Sequence, residues 1–126
     1  MKRAAAALVL LALALGASLW GQWQMRRDVT ELAGMVTGLQ AAARGDDHAA
    51  LEASAEQLQE RWDGISRRLC TILNHAALGE CQRIIVLLPQ LCREGHTADI
   101  LRACTLLQYQ LDHLVCSEEL RWENVF

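Results

Sequence analysis

The sequence predicts an all-α protein: an N-terminal transmembrane helix followed by an antiparallel up-and-down helical bundle of about four helices. Three observations support this fold: an uncharged apolar run near the N-terminus, an Ala- and Leu-rich composition with one proline, and apolar residues that recur every three or four positions afterwards. Ala and Leu favour helices, and the aromatic residues that favour strands make up only 5% of the chain. We therefore divide the 126 residues into a signal-anchor at 1–23 and a helical bundle domain at 24–126.

The apolar run extends from Ala4 to Trp20 and contains no charged residue. A helix that crosses a bilayer needs roughly 20 apolar residues, within a range of about 17 to 25, and this run lies at the short end. Trp20 and Trp23 suit the headgroup region of a membrane. A cleaved signal peptide also starts with basic residues such as Lys2 and Arg3, so removal of the segment is an open alternative. The length and the tryptophans favour a retained anchor, with residues 4–20 in the membrane.

The distribution of charge predicts the orientation and excludes one class of partner. Lys2, Arg3 and the amino terminus precede the run, whereas Arg26 and Arg27 follow it. This small difference favours a single-pass protein of the cell membrane with a cytoplasmic N-terminus and an extracytoplasmic C-terminal domain. All 15 acidic residues follow the run. The displayed domain is therefore acidic, and we predict no nucleic-acid partner, because phosphate-backbone binding needs clustered positive charge.

The first two helices of the bundle are predicted from apolar spacing and capping residues. Asp28 is the predicted N-cap of the first, with Glu31 three residues later in capping-box spacing. Gly45 is predicted to end that helix in the left-handed conformation, and Asp46 or Asp47 can cap the next. The second helix has a heptad-like seam suited to packing along a partner helix. The seam consists of Leu51, Ala55, Leu58, Trp62, Ile65, Leu69 and Ile72.

Two further helices complete the predicted bundle. The third begins at the turn around His75, and Pro89 is expected to kink it or end it early. The fourth is capped by Thr97, and Ser117 is predicted to end it or to cap a final turn. The connections are short, so neighbouring helices are expected to be antiparallel.

The cysteines allow two interpretations. None of the five forms a C-x-x-C pair, so the usual zinc patterns are absent. Cys81, Cys92 and Cys104 fall at apolar positions, where a free thiol acts as a small hydrophobic group. Alternatively, Cys70 and Cys81 are equidistant from the predicted turn at residues 75 and 76 and face each other across the hairpin. An extracytoplasmic location would let this pair form a disulfide.

No motif predicts catalysis. The chain has no Gly-rich phosphate loop, no G-x-S-x-G and no H-E-x-x-H, so we predict neither an enzyme nor a bound cofactor. His75 lies at a turn, and a metal site with His113 and Glu80 requires the ends of two helices to meet; a turn or capping histidine is the simpler interpretation. The C-terminal tail either folds back on the bundle or docks on a partner. Its candidate interaction residues are Trp122, Asn124, Val125 and Phe126.

Several features occur in an order that resembles a known family. They are the basic start with its apolar segment, the Gly45-Asp46 step, Trp62, the Asn74-His75 pair, and the ending Trp122-Glu123-Asn124-Val125-Phe126. Nearly the whole chain is similar to the domain-of-unknown-function family numbered forty-three sixty-three, small proteins of Gram-positive spore-forming bacteria. The resemblance implies a membrane-anchored helical protein with no assigned activity. It points to His75 and the tail as the functional candidates, and the five cysteines are not part of its pattern.

The leading functional hypothesis is a membrane-anchored, non-catalytic module that binds another protein, either another membrane protein or a second copy of this chain. The alternative hypothesis is a secreted or anchored binder of a small ligand or metal that uses His75 and nearby carboxylates.

Overall fold

The protein is an all-α, four-helix bundle, as the sequence predicts. The computed structural model describes residues 1–45, 47–70 and 75–125, of which 117–125 are described by their backbone alone. The helices are α1 (Lys2–Arg44), α2 (His48–Leu69), α3 (His75–Glu94) and α4 (Thr97–Val125). The described residues include no strand. Each helix packs against the next, and α4 packs back on α1, so α1 lies between α2 and α4.

Helix α1 is continuous from Lys2 to Arg44. A helix of this length extends for about 64 Å. The predicted start of a separate helix at Asp28 was therefore wrong. Asp28 lies in the middle of α1 and is 2% exposed. A capping-box pattern and a mid-helix acidic residue look alike in sequence. Here the helix continues because good helix formers, Gln24 to Arg27, precede Asp28 and no Pro follows it in α1.

The turn between α1 and α2 lies where it was predicted, but the predicted left-handed conformation of Gly45 is wrong. Helix α1 ends beside Gly45, whose φ of −85° is not left-handed. Asp47 caps α2, because its Oδ1 accepts a hydrogen bond of 3.2 Å from the backbone N–H of Ala50. Asp46, the other predicted cap, lies outside the described residues. The left-handed conformation occurs instead at Gly95, with φ of 74°, in the turn between α3 and α4.

Helix α4 runs further than predicted, and α3 continues past its proline. Helix α3 continues past Pro89 to Glu94, so the proline does not end it early. Helix α4 continues through residue 117 to Val125, so the predicted end or new cap near Ser117 was wrong. Ser117 precedes two glutamates, a combination that suits the first turn of a new helix, yet these residues also continue an existing helix at small cost.

The core confirms the predicted seam of α2 as far as Leu69; Ile72 lies outside the described residues. Trp62 is the largest fully buried side chain, and its indole N–H donates a hydrogen bond to the side-chain oxygen of Gln82 on α3. This bond satisfies the only polar atom of the indole ring. Gln108 of α4 donates to Thr37 Oγ1 (3.2 Å) and Gln40 Oε1 (3.4 Å) of α1. Polar contacts therefore join non-consecutive helices at the edge of an apolar core.

Candidate functional site

The N-terminal half of α1 is an apolar surface that the rest of the protein leaves uncovered. Every residue from Met1 to Ala17 is exposed, and Leu8, Leu10 and Leu13 are each at least 64% exposed. Among the described helices, α1 alone is long and apolar enough to cross a membrane, with a mean hydropathy of 2.1 over its best window. A signal sequence at the N-terminus passes the same test. An exposed apolar surface of this size is typical of a segment that contacts lipid or another protein.

The carboxylate of Asp28 is buried where α1 enters the bundle. Its Oδ2 lies 3.3 Å from Nη2 of Arg68 on α2, and its Oδ1 accepts a hydrogen bond of 3.3 Å from Gln24. The Asp28 side chain is 3% exposed, whereas that of Arg68 is 50% exposed. A buried carboxylate is costly unless it is paired and hydrogen-bonded, and Arg68 supplies the opposite charge while its own charge stays hydrated.

One turn further along α1, a second ion pair joins the same two helices. Arg61 of α2 donates to both carboxylate oxygens of Glu31, with Nε–Oε1 of 2.9 Å and Nη2–Oε2 of 2.8 Å. These hydrogen bonds lower the pKa of Glu31 below its ordinary value and raise the pKa of Arg61. The planar guanidinium matches the carboxylate in this two-point contact, which fixes the register of α1 against α2.

The structure does not bring the predicted histidine and carboxylates into a metal site. His75 is the exposed first residue of α3, and Glu80 pairs with Arg83 (Nη1–Oε1, 3.2 Å). The ring of His113 stacks on Tyr109, with centroids 6.3 Å apart and planes inclined by 8°. Within the described part of the chain, no three His, Cys, Asp or Glu residues form a group that could hold a metal ion. These residues therefore give no support to the ligand-binding alternative.

The thiols divide into a buried and an exposed set. Cys81, Cys92 and Cys104 are buried, as their apolar positions indicated. Burial raises the pKa of Cys81 to about 11 and that of Cys104 to about 12, so both stay protonated near neutral pH. Cys70 and Cys116 are exposed free thiols. Cys70 is the C-cap of α2 and Cys81 is also a free thiol here, so their disulfide stays a prediction.

Most of the predicted C-terminal tail is the end of α4. Trp122, Asn124 and Val125 belong to the last turns of α4, where the backbone alone is described, and Phe126 lies outside the described residues. Their role in binding a partner stays a prediction.

Sequence reasoning missed an exposed stripe on α4. We call it the outer α4 stripe and define it as Asp99, Arg102, Leu106, Tyr109, His113 and Cys116, all exposed. Leu106 is 51% exposed and Tyr109 is 65% exposed. Along it runs an open groove of about 550 Å³, which is lined by Ala98, Leu101, Arg102, Thr105, Leu106 and Tyr109. The sequence signal was the three-four spacing of this second set, which the stronger spacing of the core residues obscured.

Comparison of the chain with family models, with curated proteins and with solved structures finds no match. The family resemblance described from the sequence therefore stays a prediction.

Proposed function

We propose that this chain is a single-pass membrane protein that displays a non-catalytic helical bundle as an interaction module at the membrane surface. The observation that carries the proposal is the continuity of α1. Its apolar, uncovered half runs without a turn into the half that forms one wall of the bundle.

The apolar half of α1 supports the anchor. A helix that is apolar on all sides is stable when it is surrounded by protein core or by lipid, and no described residue covers the apolar window of this one. Removing such surface from water contributes roughly 25 cal/mol per Å² of apolar area. At the end of the run, the guanidinium of Arg27 lies 5.5 Å from the ring centroid of Trp23. A Trp–Arg pair of this kind combines an apolar ring with a charged group and suits the boundary between lipid and water.

The outward faces of the bundle differ in character, and one of them has the features of a protein-binding surface. The exposed face of α2 carries Glu56, Glu60 and Asp63, which is typical of a solvated surface. The outer α4 stripe instead presents Leu106 and Tyr109 beside an open groove. Exposed Tyr and Leu side chains next to a concavity are characteristic of a protein-binding surface. We place the interaction site there.

The proposed orientation has the N-terminus in the cytoplasm and the bundle outside the cell membrane. Lys2 and Arg3 before the span support it. The exposed thiols of Cys70 and Cys116 provide the test, because a membrane-impermeant maleimide reaches them in intact cells when the bundle is outside. Labelling only after cell lysis would show that the bundle lies in the cytoplasm, which is the opposite orientation. Labelling of a double Cys70→Ser, Cys116→Ser variant serves as the control.

The anchor is tested by membrane fractionation together with determination of the mature N-terminus. We expect the protein to resist extraction with alkaline carbonate and to retain residues 1–23. A signal peptidase could cleave after the small-residue pairs Ala12/Ala14 or Ala14/Gly16. A mature N-terminus near Leu15 or Ala17 would therefore show that the segment is a cleaved signal and would overturn the anchor.

The interaction site is tested with a photo-crosslinking amino acid introduced in cells at Tyr109. The matched control is Gln57, an exposed residue of α2. We expect crosslinked products from position 109 and few from position 57. Equal yields at the two positions would remove the outer α4 stripe as the interaction site.

A further inference from the structure

The outer α4 stripe has the spacing of a coiled-coil seam. Its residues follow one another in alternating steps of three and four, which is the a/d pattern of a heptad repeat. The opposite side of α4 carries a separate apolar set that is fully occupied within the bundle: Ile100, Cys104, Leu107, Leu111 and Leu114. Helix α4 therefore has two faces with helical periodicity, and one of them has no partner among the residues that the structure describes.

We infer that the occupant of the outer α4 stripe is the same stripe of a second copy of this chain, packed in parallel. The inference rests on the proposed membrane anchor. Because α1 carries the span into the bundle without a turn and α4 is antiparallel to α1, α4 points toward the membrane in every copy. Two copies in one membrane are related by a two-fold axis along the membrane normal. Each residue of the stripe then meets its own counterpart.

The stripe carries one acidic and one basic residue, and these two can pair between the two copies. Asp99 and Arg102 lie three residues apart and already form an ion pair, with Nη1–Oδ1 of 3.7 Å. In a parallel pair Asp99 faces Asp99 and Arg102 faces Arg102, and the two layers are only three residues apart. Each Arg102 can therefore also pair with Asp99 of the other copy, which offsets the contacts between like charges. Two of the flanking pairs that meet across such a seam carry no charge, namely Ala98 with Ala103 and Thr105 with Gln110. In the third pair, Asp112 is in register with the uncharged Ser117.

The acidic character of the domain makes this face the favourable one for a second copy. On the exposed face of α2, the same symmetry would place Glu56, Glu60 and Asp63, three residues of one sign, opposite their counterparts. The stripe carries one residue of each sign, Asp99 and Arg102. The stripe places Leu106 and Tyr109 at its centre instead. The stacking of Tyr109 on His113 restrains the tyrosine ring before contact, which reduces the entropy lost on association.

Cys116 makes the inferred interface testable with native residues. It lies on the stripe at the end nearer the span, so the symmetry brings the Cys116 thiols of two copies close together. Cys70, the other exposed thiol, ends α2, which does not contact α4. The buried thiols react slowly because they remain protonated and covered.

The experiment uses the full-length protein in native membranes and a short bis-maleimide crosslinker. Cys70→Ser retains Cys116, and Cys116→Ser retains Cys70 as the matched control. We expect at least a tenfold higher yield of covalent dimer from Cys70→Ser than from Cys116→Ser. Absence of a dimer from Cys70→Ser, or equal yields from the two variants, would overturn the inference.

A second pair of variants separates the interface from chance collisions in the membrane. In the Cys70→Ser background, Leu106→Glu is expected to reduce the dimer yield at least tenfold by placing like charges in the seam. Val86→Glu, at an exposed apolar position of α3, is the control and should leave the yield unchanged. Equal yields would contradict the inference, provided that circular dichroism shows unchanged helix content in both variants.

The two proposals fail in different ways. Crosslinking of Tyr109 to a different protein, combined with no dimer through Cys116, would retain the interaction site and reject the second copy. Loss of both products would reject both proposals.

Discussion

The two halves of α1 form one continuous helix but differ in exposure and in how apolar residues are distributed around the helix axis. From Met1 to Ala17 every residue is exposed, and apolar residues occupy all sides of the helix. From residue 25 onward, burial recurs every three or four positions on one face, at Met25, Asp28, Val29, Leu32, Val36, Leu39 and Ala43. The change from uniform to one-sided apolar character occurs without any break in the helix. Helix continuity thus says little about environment, whereas the distribution of apolar residues around the axis says much.

The largest expected difference between the halves is in the stability of the bundle. Leu32 is fully buried, and Leu11 is 57% exposed. We expect Leu32→Ala to lower the free energy of unfolding by about 2–5 kcal/mol, because it removes packing and leaves a cavity. Leu11→Ala should change it by less than about 0.5 kcal/mol. Denaturant unfolding of both variants in the same detergent micelle measures the difference, and similar losses would contradict the comparison.

The opposite ranking is expected for membrane insertion. Leu11→Arg places a charge near the middle of the apolar run and should cost about 2.5–3.5 kcal/mol of insertion free energy. Gly38→Arg lies on the exposed face of the second half, where nothing lies within 4 Å of the added Cβ, and should have no effect on insertion. The fraction of each variant that resists carbonate extraction is the measurement. Loss of retention in both variants would mean that the second half also contacts lipid.

A smaller effect is expected at the junction of the halves. Asp28→Asn keeps the shape of the side chain and removes the charge that Arg68 neutralises. We expect a loss of about 1–3 kcal/mol in the free energy of unfolding, typical of a hydrogen bond to a charged group. Asp63→Asn, at an exposed position of α2, is the control. An unchanged unfolding midpoint for Asp28→Asn would mean that the buried charge adds nothing to stability.

The smallest effect concerns pH. The hydrogen bonds from Arg61 lower the pKa of Glu31 from its ordinary value of 4.5. Its carboxylate is therefore favoured in the folded state, and its contribution to stability is present above the unfolded pKa and lost as the pH falls through the folded pKa. We expect Glu31→Gln to lower the thermal midpoint at pH 7 and to converge with the wild type as the pH falls through the folded pKa, which lies below 4.5. A constant difference across this range would contradict the assignment.

The core of the bundle could be predicted because its signal is repeated within each helix. Leu51, Leu58 and Trp62 are buried as their spacing requires, and the same reasoning located α3 and the start of α4. Periodicity reports which face is apolar, and in a small bundle the apolar face is the buried one.

The junction and the outer α4 stripe could not be predicted in the same way. Asp28 precedes an apolar pattern as an N-cap does, and its true role depends on Arg68, forty residues away in sequence. Only two of the six stripe residues, Leu106 and Tyr109, are large hydrophobic groups, so the apolar periodicity of the stripe is a weak signal in the sequence. Its significance depends on which residues the other helices leave exposed. This exposure is a property of the tertiary structure, which the spacing within one helix does not report.

The unbroken course of α1 also has a mechanical consequence. The part of α1 from residue 25 to residue 44 extends about 30 Å beyond the start of burial. Transmembrane helices tilt by about 20° on average, and a tilt of that size moves the far end of such a rod sideways by about 10 Å. With the apolar half in a bilayer, interfacial anchors such as Trp20 and Trp23 would set the tilt, and the ion pairs of Asp28 and Glu31 would transmit it to α2. The orientation of the bundle relative to the membrane would then follow the tilt of the span.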